Sequence, residues 1–467
     1  MKPADFLERA DIQGNVLRGY GYEHAAYLFL AVNDPGAARA WLRGLRVEDA
    51  LGWGEDEASE SAPKPPLTLN VAFTFDGLHA LEVPEEVLAT FPADFREGMA
   101  ARAHQLGDVD GSAPEHWQPG LQDGEADILV TLHARTGDDL QDAITAHRED
   151  LRGVSVARLQ RANSHNGQRE HFGFTDGFAQ PGIEGDGRGV VPGRGLPERW
   201  WPWQRWNDPD RPRSRNERWL AWRSLKAGEF VLGYEDEDGG LPAAPAAPYG
   251  RNGTFMVWRK LEQDVPAFRA FTTREEERLG SRPGFVAAKM VGRWPDGSPL
   301  ALRPRGPDVA LGDDKERVND YRYRDDTDGA ACPLGAHTRR VNPRDALGWG
   351  NRRARRHRLV RRGMPYGPEL VEGENEADER GLVFVCLQAS IARQFEIVQS
   401  NWINDGNLFG LGDDRDPITA VTNGSGRMVV HGPDVCILGP LPSFTTLRGG
   451  AYLFVPGLAA LRAIAFD

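Results

Sequence analysis

The chain has 467 residues, 40% of them hydrophobic and including 20 Phe and 13 Trp, which is enough for two or three domains with sizeable cores. A formal net charge of −13 makes its surface a poor platform for nucleic acid. No run is long and apolar enough to span a bilayer, and three widely spaced cysteines (Cys332, Cys386, Cys436) suggest neither a disulfide framework nor a zinc site.

The opening segment, MKPADFLERADIQGNVLRGYG, places acids where a signal peptide needs an apolar core and has no twin-arginine run, so a cytoplasmic protein is expected. His24 to Val32 is a short apolar run that predicts a strand. Asp34-Pro35 then supplies an N-cap and a first-turn proline for a helix ending near Leu45. Leu67 to Phe75 alternates like a strand, and Pro84 to Arg102 has helical spacing of Val87, Leu88, Phe91, Phe95 and Met99. Asp127 to Ala134 predicts a strand and Asp138 to Arg152 a helix, a βαβ-like alternation that suggests a ferredoxin-like unit.

Glu184 to Leu241 is rich in Gly, Pro, Arg and Trp, with Trp200, Trp201, Trp203, Trp206, Trp219 and Trp222 close together. That many aromatics predict an irregular but packed connection. Glu229 to Tyr234, Thr254 to Leu261, Gly381 to Leu387 and Ala451 to Val455 read as strands, and Ser390 to Trp402 as a helix. The second half therefore echoes the first in kind, without a residue-level repeat.

Three motifs carry chemistry. In Gly173-Phe174-Thr175-Asp176-Gly177 an acid sits on a glycine-flanked turn, able either to reach into a cavity as a proton carrier or to cap its own loop. His337 lies in CPLGAHTRRVNPR, after the small residues Gly335 and Ala336 and before Arg339, Arg340 and Arg344. A histidine there suits an iron ligand and the arginines suit propionates; a structural histidine in a turn is the competing reading. Arg361 ends the basic run from Arg352 to Arg362, ahead of GMPYGPE; most of those arginines must be solvated, yet one turned inward would stabilise developing negative charge.

Taken together, these motifs resemble the dye-decolorizing peroxidases. DIQGNVLRGYG, FTFDGLHALEVP, GFTDGFAQPGI, GEFVLGYEDE, NGTFMVWRKL, AAKMVGRWPDGSPL, CPLGAHTRRVNPR, RRGMPYGPE and GLVFVCLQASIARQFEIVQSNW resemble the family in the same order, from Asp11 to Trp402. The resemblance implies an α+β fold of two ferredoxin-like domains, of the dimeric α+β barrel kind. Their expected boundaries are 1–190 and 241–467, with 191–240 as the irregular connection and haem b in the C-terminal half. It implies His337 as the iron ligand and Asp176 as the distal acid–base. Arg361 takes the distal arginine position, with Arg362 as its rival. Gly177, Phe178 and Arg339 are expected against the cofactor. The family's acidic partner of the proximal histidine is assigned here to Glu396.

The implied activity is reduction of hydrogen peroxide and oxidation of dyes, phenolics or other aromatic one-electron donors through a ferryl intermediate, at acid pH. Bulky donors would pass electrons through surface Trp or Tyr, for which the Trp200 to Trp222 cluster is one candidate and simple packing the favoured account. The chain's last residues, LAALRAIAFD, offer no separate tail for encapsulation in a protein shell. Two other classes stay open: a haem-binding or transport protein without turnover, and a hydrolase using paired carboxylates such as Asp176 and Glu184.

Overall fold

The structure, a computed structural model, describes residues 7–53, 63–164, 169–177, 179–197, 222–348, 352–422, 424–431 and 435–466. Nine strands form one antiparallel sheet. The first four are β1 (His24–Val32), β2 (Leu67–Phe73), β3 (Ile128–Ala134) and β4 (Val154–Asn163). The remainder are β5 (Thr254–Gln263), β6 (Val360–Arg361), β7 (Met364–Tyr366), β8 (Gly381–Gln388) and β9 (Thr445–Val455). Their order is β4-β1-β3-β2-β9-β5-β8-β6, with β7 also paired to β8.

This order contains one arrangement twice. In the first half the fourth strand lies beside the first, then the third, then the second; β9-β5-β8-β6/β7 repeats it, as in a ferredoxin-like unit. Matching caps accompany the repeat. After β1, Asp34 Oδ1 accepts from the Ala37 N–H at 3.0 Å to start α1 (Pro35–Gly44). Thr136 Oγ1 caps α2 (Gly137–Glu149) in the same way. After β5, Asp264 Oδ1 accepts from the Ala267 N–H at 2.9 Å to start α3 (Val265–Leu279), again with a proline in the first turn.

The halves join where β2 meets β9 at the pair Phe73–Phe454, and β4 lies against β7 so that the sheet curls toward a barrel. Alternate residues on each strand point to two different cores. Tyr27, Phe29, Leu129, Met256, Trp258, Val385 and Leu453 fill the barrel interior. Leu28, Val71, Phe73, Val130, Phe255 and Phe454 pack beneath the outer helices. With both faces covered, the strands read as unbroken apolar runs. A fully buried Phe such as Phe73 or Phe454 contributes about 1.5–3 kcal/mol.

Several predicted elements differ. Glu229 to Tyr234 is no strand: Ala227–Glu229 is a 3-10 turn, and Phe230 and Val231 both donate to Ala227 O at 2.9 Å. A wholly buried apolar run has no period to separate a strand from a core-plugging turn. The helix over Pro84 to Arg102 is broken: Glu85–Leu88 stops short of Pro92, which cannot continue it, and Ala93–Ala101 is kinked at Gly98, where φ is 77°. Ser390 to Trp402 forms π-helical turns, Ala392–Glu396 and Val398–Asn404. Trp200 to Trp219 lie outside the described residues. Trp222, on their border, donates to Asp320 Oδ1 at 3.0 Å.

Candidate active site

Beyond the sheet, α4 (His337–Val341) starts at the histidine itself, with Ala336 extended before it. His337 Nδ1 lies 2.9 Å from Asp416 Oδ2, and Asp416 is fully buried. The other oxygen, Asp416 Oδ1, accepts from the Ile418 and Thr419 N–H groups, each at 2.9 Å. Burial alone would push His337 down and Asp416 up. Their mutual charge and hydrogen bond outweigh it, so His337 titrates above its ordinary value and Asp416 below. The Asp416 carboxylate therefore orients the ring and directs its other nitrogen, Nε2, into a cavity.

That cavity has a volume of about 260 Å³, and Asp176, Gly177 and Arg361 line it together with His337. Asp176 follows β4 on a turn where Gly173 and Gly177 take φ of 99° and 86°, a region that favours glycine. Arg361 is set by β6, its backbone N–H held by Gln180 Oε1 at 2.9 Å. Arg361 Nη1 donates to Asp176 Oδ1 at 2.8 Å, and the Gly177 N–H donates to the same oxygen at 2.6 Å. No hydrogen bond from a described residue occupies Asp176 Oδ2, which is left for a ligand. Burial opposes ionisation of Asp176, but the Arg361 charge, these hydrogen bonds and His337 hold its carboxyl below the usual range.

Strand alternation separates Arg361 from its rival. Arg362 points the other way and donates to Asn15 O, Val16 O and Arg361 O. A second cavity, about 380 Å³, opens on that side and shares Asp176, Gly177, Arg361 and Leu382 with the first. Asn15 Oδ1, Tyr27 Oη and His133 Nδ1 line it without partners among the described residues, so it is polar enough to hold water beside Asp176.

Five expected contacts fall elsewhere. Arg339 is buried away from the cavity, donating to Asp326 Oδ2 at 3.0 Å and Cys332 O at 2.7 Å. Two residues beyond His337 on a helical turn, it faces nearly the opposite side. Arg340 likewise spends its donors on the carbonyls of Trp402, Asp405 and Asp414. Glu396 does not approach His337; it pairs with Arg102 and accepts from Tyr452 Oη at 3.0 Å, so the carboxylate behind the histidine is Asp416. Gly335 packs toward Met428 and Leu411 rather than opening space for a ligand. Phe178 lies outside the described residues. Glu184 pairs with Lys226 at the surface, away from Asp176.

Against these geometries stand the relatives. The DyP dimeric alpha+beta barrel domain model matches residues 11–167, and the Dyp-type peroxidase C-terminal model matches 245–419. A dye-decolorizing peroxidase of Mycena epipterygia is 30% identical over 99% of this chain and 88% of its own length. The chain belongs to the DyP-type peroxidase family. It is an oxidoreductase dependent on hydrogen peroxide. The multifunctional dye peroxidase DyP2 of Amycolatopsis sp. is 28% identical, covering 97% of this chain and 95% of that protein. Among solved structures, a decolorizing peroxidase from Auricularia auricula-judae superposes with a TM-score of 0.80 at 26% identity, over 98% of this chain and 100% of that one.

DyP-type peroxidases depend on haem, and the cavity fits such a group. Phe172, Phe174, Leu261, Leu359, Phe384 and Ile418 supply apolar walls. Arg344 and Arg358, both buried, have no carboxylate partner among the described residues, and Arg344 Nε and Nη2 are unpaired. Burial and the neighbouring Arg344 and Arg361 press the pKa of Arg358 down, a strain that an anionic group would relieve. Thr338 Oγ1 and Asn342 Oδ1 are also unpaired on the same wall. Asp416 is a site residue that the motifs did not indicate: Asp-Pro-Ile-Thr reads as a self-capping turn, with no local sign of a histidine 79 residues away.

Proposed function

We propose that this DyP-type peroxidase holds haem b in the cavity, with His337 Nε2 as iron ligand and Arg344 and Arg358 at its propionates, and oxidises dyes, phenolics and other aromatic donors. The bound haem supplies an iron that coordinates peroxide and takes up its oxidising equivalents. The observation that carries this reading is the meeting of two preset pairs, His337–Asp416 and Asp176–Arg361, on one apolar cavity.

The chain's own residues then divide the work. Asp176 is held ionised by Arg361, so Oδ2 would accept a proton from one peroxide oxygen and return it to the other, which would leave as water. Arg361 stays on Oδ1 and presents its charge to the departing oxygen. Asp416 keeps His337 oriented and electron-rich. A protein that merely carried haem would need neither Asp176 nor Arg361 in the cavity.

The test is the absorption spectrum of haem-loaded protein before and after one equivalent of peroxide at acid pH. The expected result is a Soret band that shifts promptly with peroxide and returns when a dye is added. His337→Ala abolishes the band. Asp176→Asn keeps it but reacts about 10²–10⁴-fold more slowly. An Asp176→Asn protein that reacts at the native rate removes the proton-transfer role, and a Soret band indifferent to peroxide removes turnover.

A further inference from the structure

Tyr321 lines the cofactor cavity, and Tyr323 and Cys332 lie directly behind it. The two tyrosine rings meet edge to face with centroids 5.5 Å apart. The Tyr323 hydroxyl lies within hydrogen-bonding reach of both the Tyr321 hydroxyl and the Cys332 thiol. Cations surround the group. The Arg344 guanidinium lies 3.8 Å from the Tyr321 ring centroid, Arg293 Nη2 donates to Tyr321 Oη at 3.5 Å, and Arg339 covers Tyr323 at 4.4 Å. All three oxidisable residues are shielded, with 7%, 1% and 0% of their surface exposed, so none can meet a bulky donor.

We infer that Tyr321, Tyr323 and Cys332 form an internal relay that draws oxidising equivalents out of the cofactor cavity into a buried thiol when no donor is present. This rests on the proposed haem-peroxidase reading, which supplies the oxidant. Tyr321 gives one electron to the oxidised centre left by peroxide reduction, and its phenolic proton passes to water in the cavity. The hydrogen atom of the Tyr323 O–H then moves to the Tyr321 oxygen. The Cys332 S–H in turn gives its hydrogen atom to the Tyr323 oxygen. In sum, one electron and one proton have left Cys332, and both tyrosines are restored.

Two features set this path apart from direct attack by peroxide. Burial drives the Cys332 thiol up to about 11, so the nucleophilic thiolate that peroxide requires is scarce. Burial also opposes ionisation of Tyr321, but the Arg344 and Arg293 charges hold its phenol below the ordinary value, which favours the proton loss that accompanies its oxidation. Cys386 is equally buried, and its thiol is approached by Arg259 and Arg361 instead. It therefore serves as an internal control.

The experiment adds peroxide to the haem-loaded protein without donor and in air, where dioxygen is small enough to reach a radical on a buried residue. Peptide mass spectrometry then locates the oxygen adducts, and peroxide consumption is followed in parallel. The expected result is an adduct on the Cys332 peptide and none on that of Cys386. In Tyr323→Phe, which keeps the ring, the Cys332 adduct is lost while peroxide consumption is unchanged. In Cys332→Ala the adduct moves back to the tyrosines. Peroxide consumption with an undiminished Cys332 adduct in Tyr323→Phe, or with no adduct in the native protein, overturns the relay alone. A loaded protein that leaves peroxide unconsumed overturns the haem-peroxidase reading, and the relay falls with its oxidant.

Discussion

Replacing Arg361 by Leu keeps an aliphatic stem in β6 and deletes the charge whose Nη1 lies 2.8 Å from Asp176 Oδ1. Burial is the largest influence on Asp176 and raises its pKa; Arg361 is the main reason that the net shift is downward. Without Arg361, the Gly177 N–H and His337 alone oppose burial, so the carboxyl moves up. The Asp176 side chain is 36% exposed to the cavity, so solvent screens part of the Arg361 effect. Asp176 acts as a base only when ionised, so the rate is full above its folded pKa and is lost as pH falls through it.

Stopped-flow measurement of the peroxide reaction across the acid range gives the result directly. In the native protein the acid limb lies below the ordinary aspartate value of about 3.9. In Arg361→Leu the limb moves to higher pH, and the plateau falls by about 10²–10³ because a preset donor to the departing oxygen is gone. A limb at the same pH in both proteins would falsify the assignment of Asp176 as a base tuned by Arg361.

Asp416→Asn leaves a neutral partner behind His337, and haem titration should show affinity about 10–100-fold weaker, with a shifted Soret maximum; native affinity and spectrum would make Asp416 a packing residue only. Phe454→Ala removes the aromatic at the pair joining the two halves of the sheet, where the Phe91 and Phe255 ring centroids lie 5.2 and 5.7 Å away. Chemical denaturation should show a loss of about 3–5 kcal/mol in a transition common to both halves; a loss confined to one half would mean that the seam does not couple them.

Local signals carried much of this architecture. Strands β1, β3, β5 and β8 were legible because residues covered on both faces must be apolar throughout. The start of α1 was legible because Asp34 answers an orphan N–H group of its own first turn. Asp176, His337 and Arg361 were singled out by short motifs, and the resemblance carried by those motifs ordered them into roles.

Other features depend on chain segments that meet only after folding. Arg361 and Arg362 are adjacent and chemically equal, and the pleat of β6 turns one toward Asp176 and the other into the barrel. Arg339 looked suited to a propionate until the turn of α4 aimed it at Asp326, while Arg344 and Arg358 came to the cavity without counter-charges. Glu396 and Asp416 are both buried acids of the C-terminal half, yet Arg102 and Tyr452 claim the first, and only the second reaches His337. Residue type and spacing set what a side chain can do within a few neighbours; which partner it meets across the molecule is decided by packing, because a buried charge goes where an opposite charge or hydrogen bond is closest.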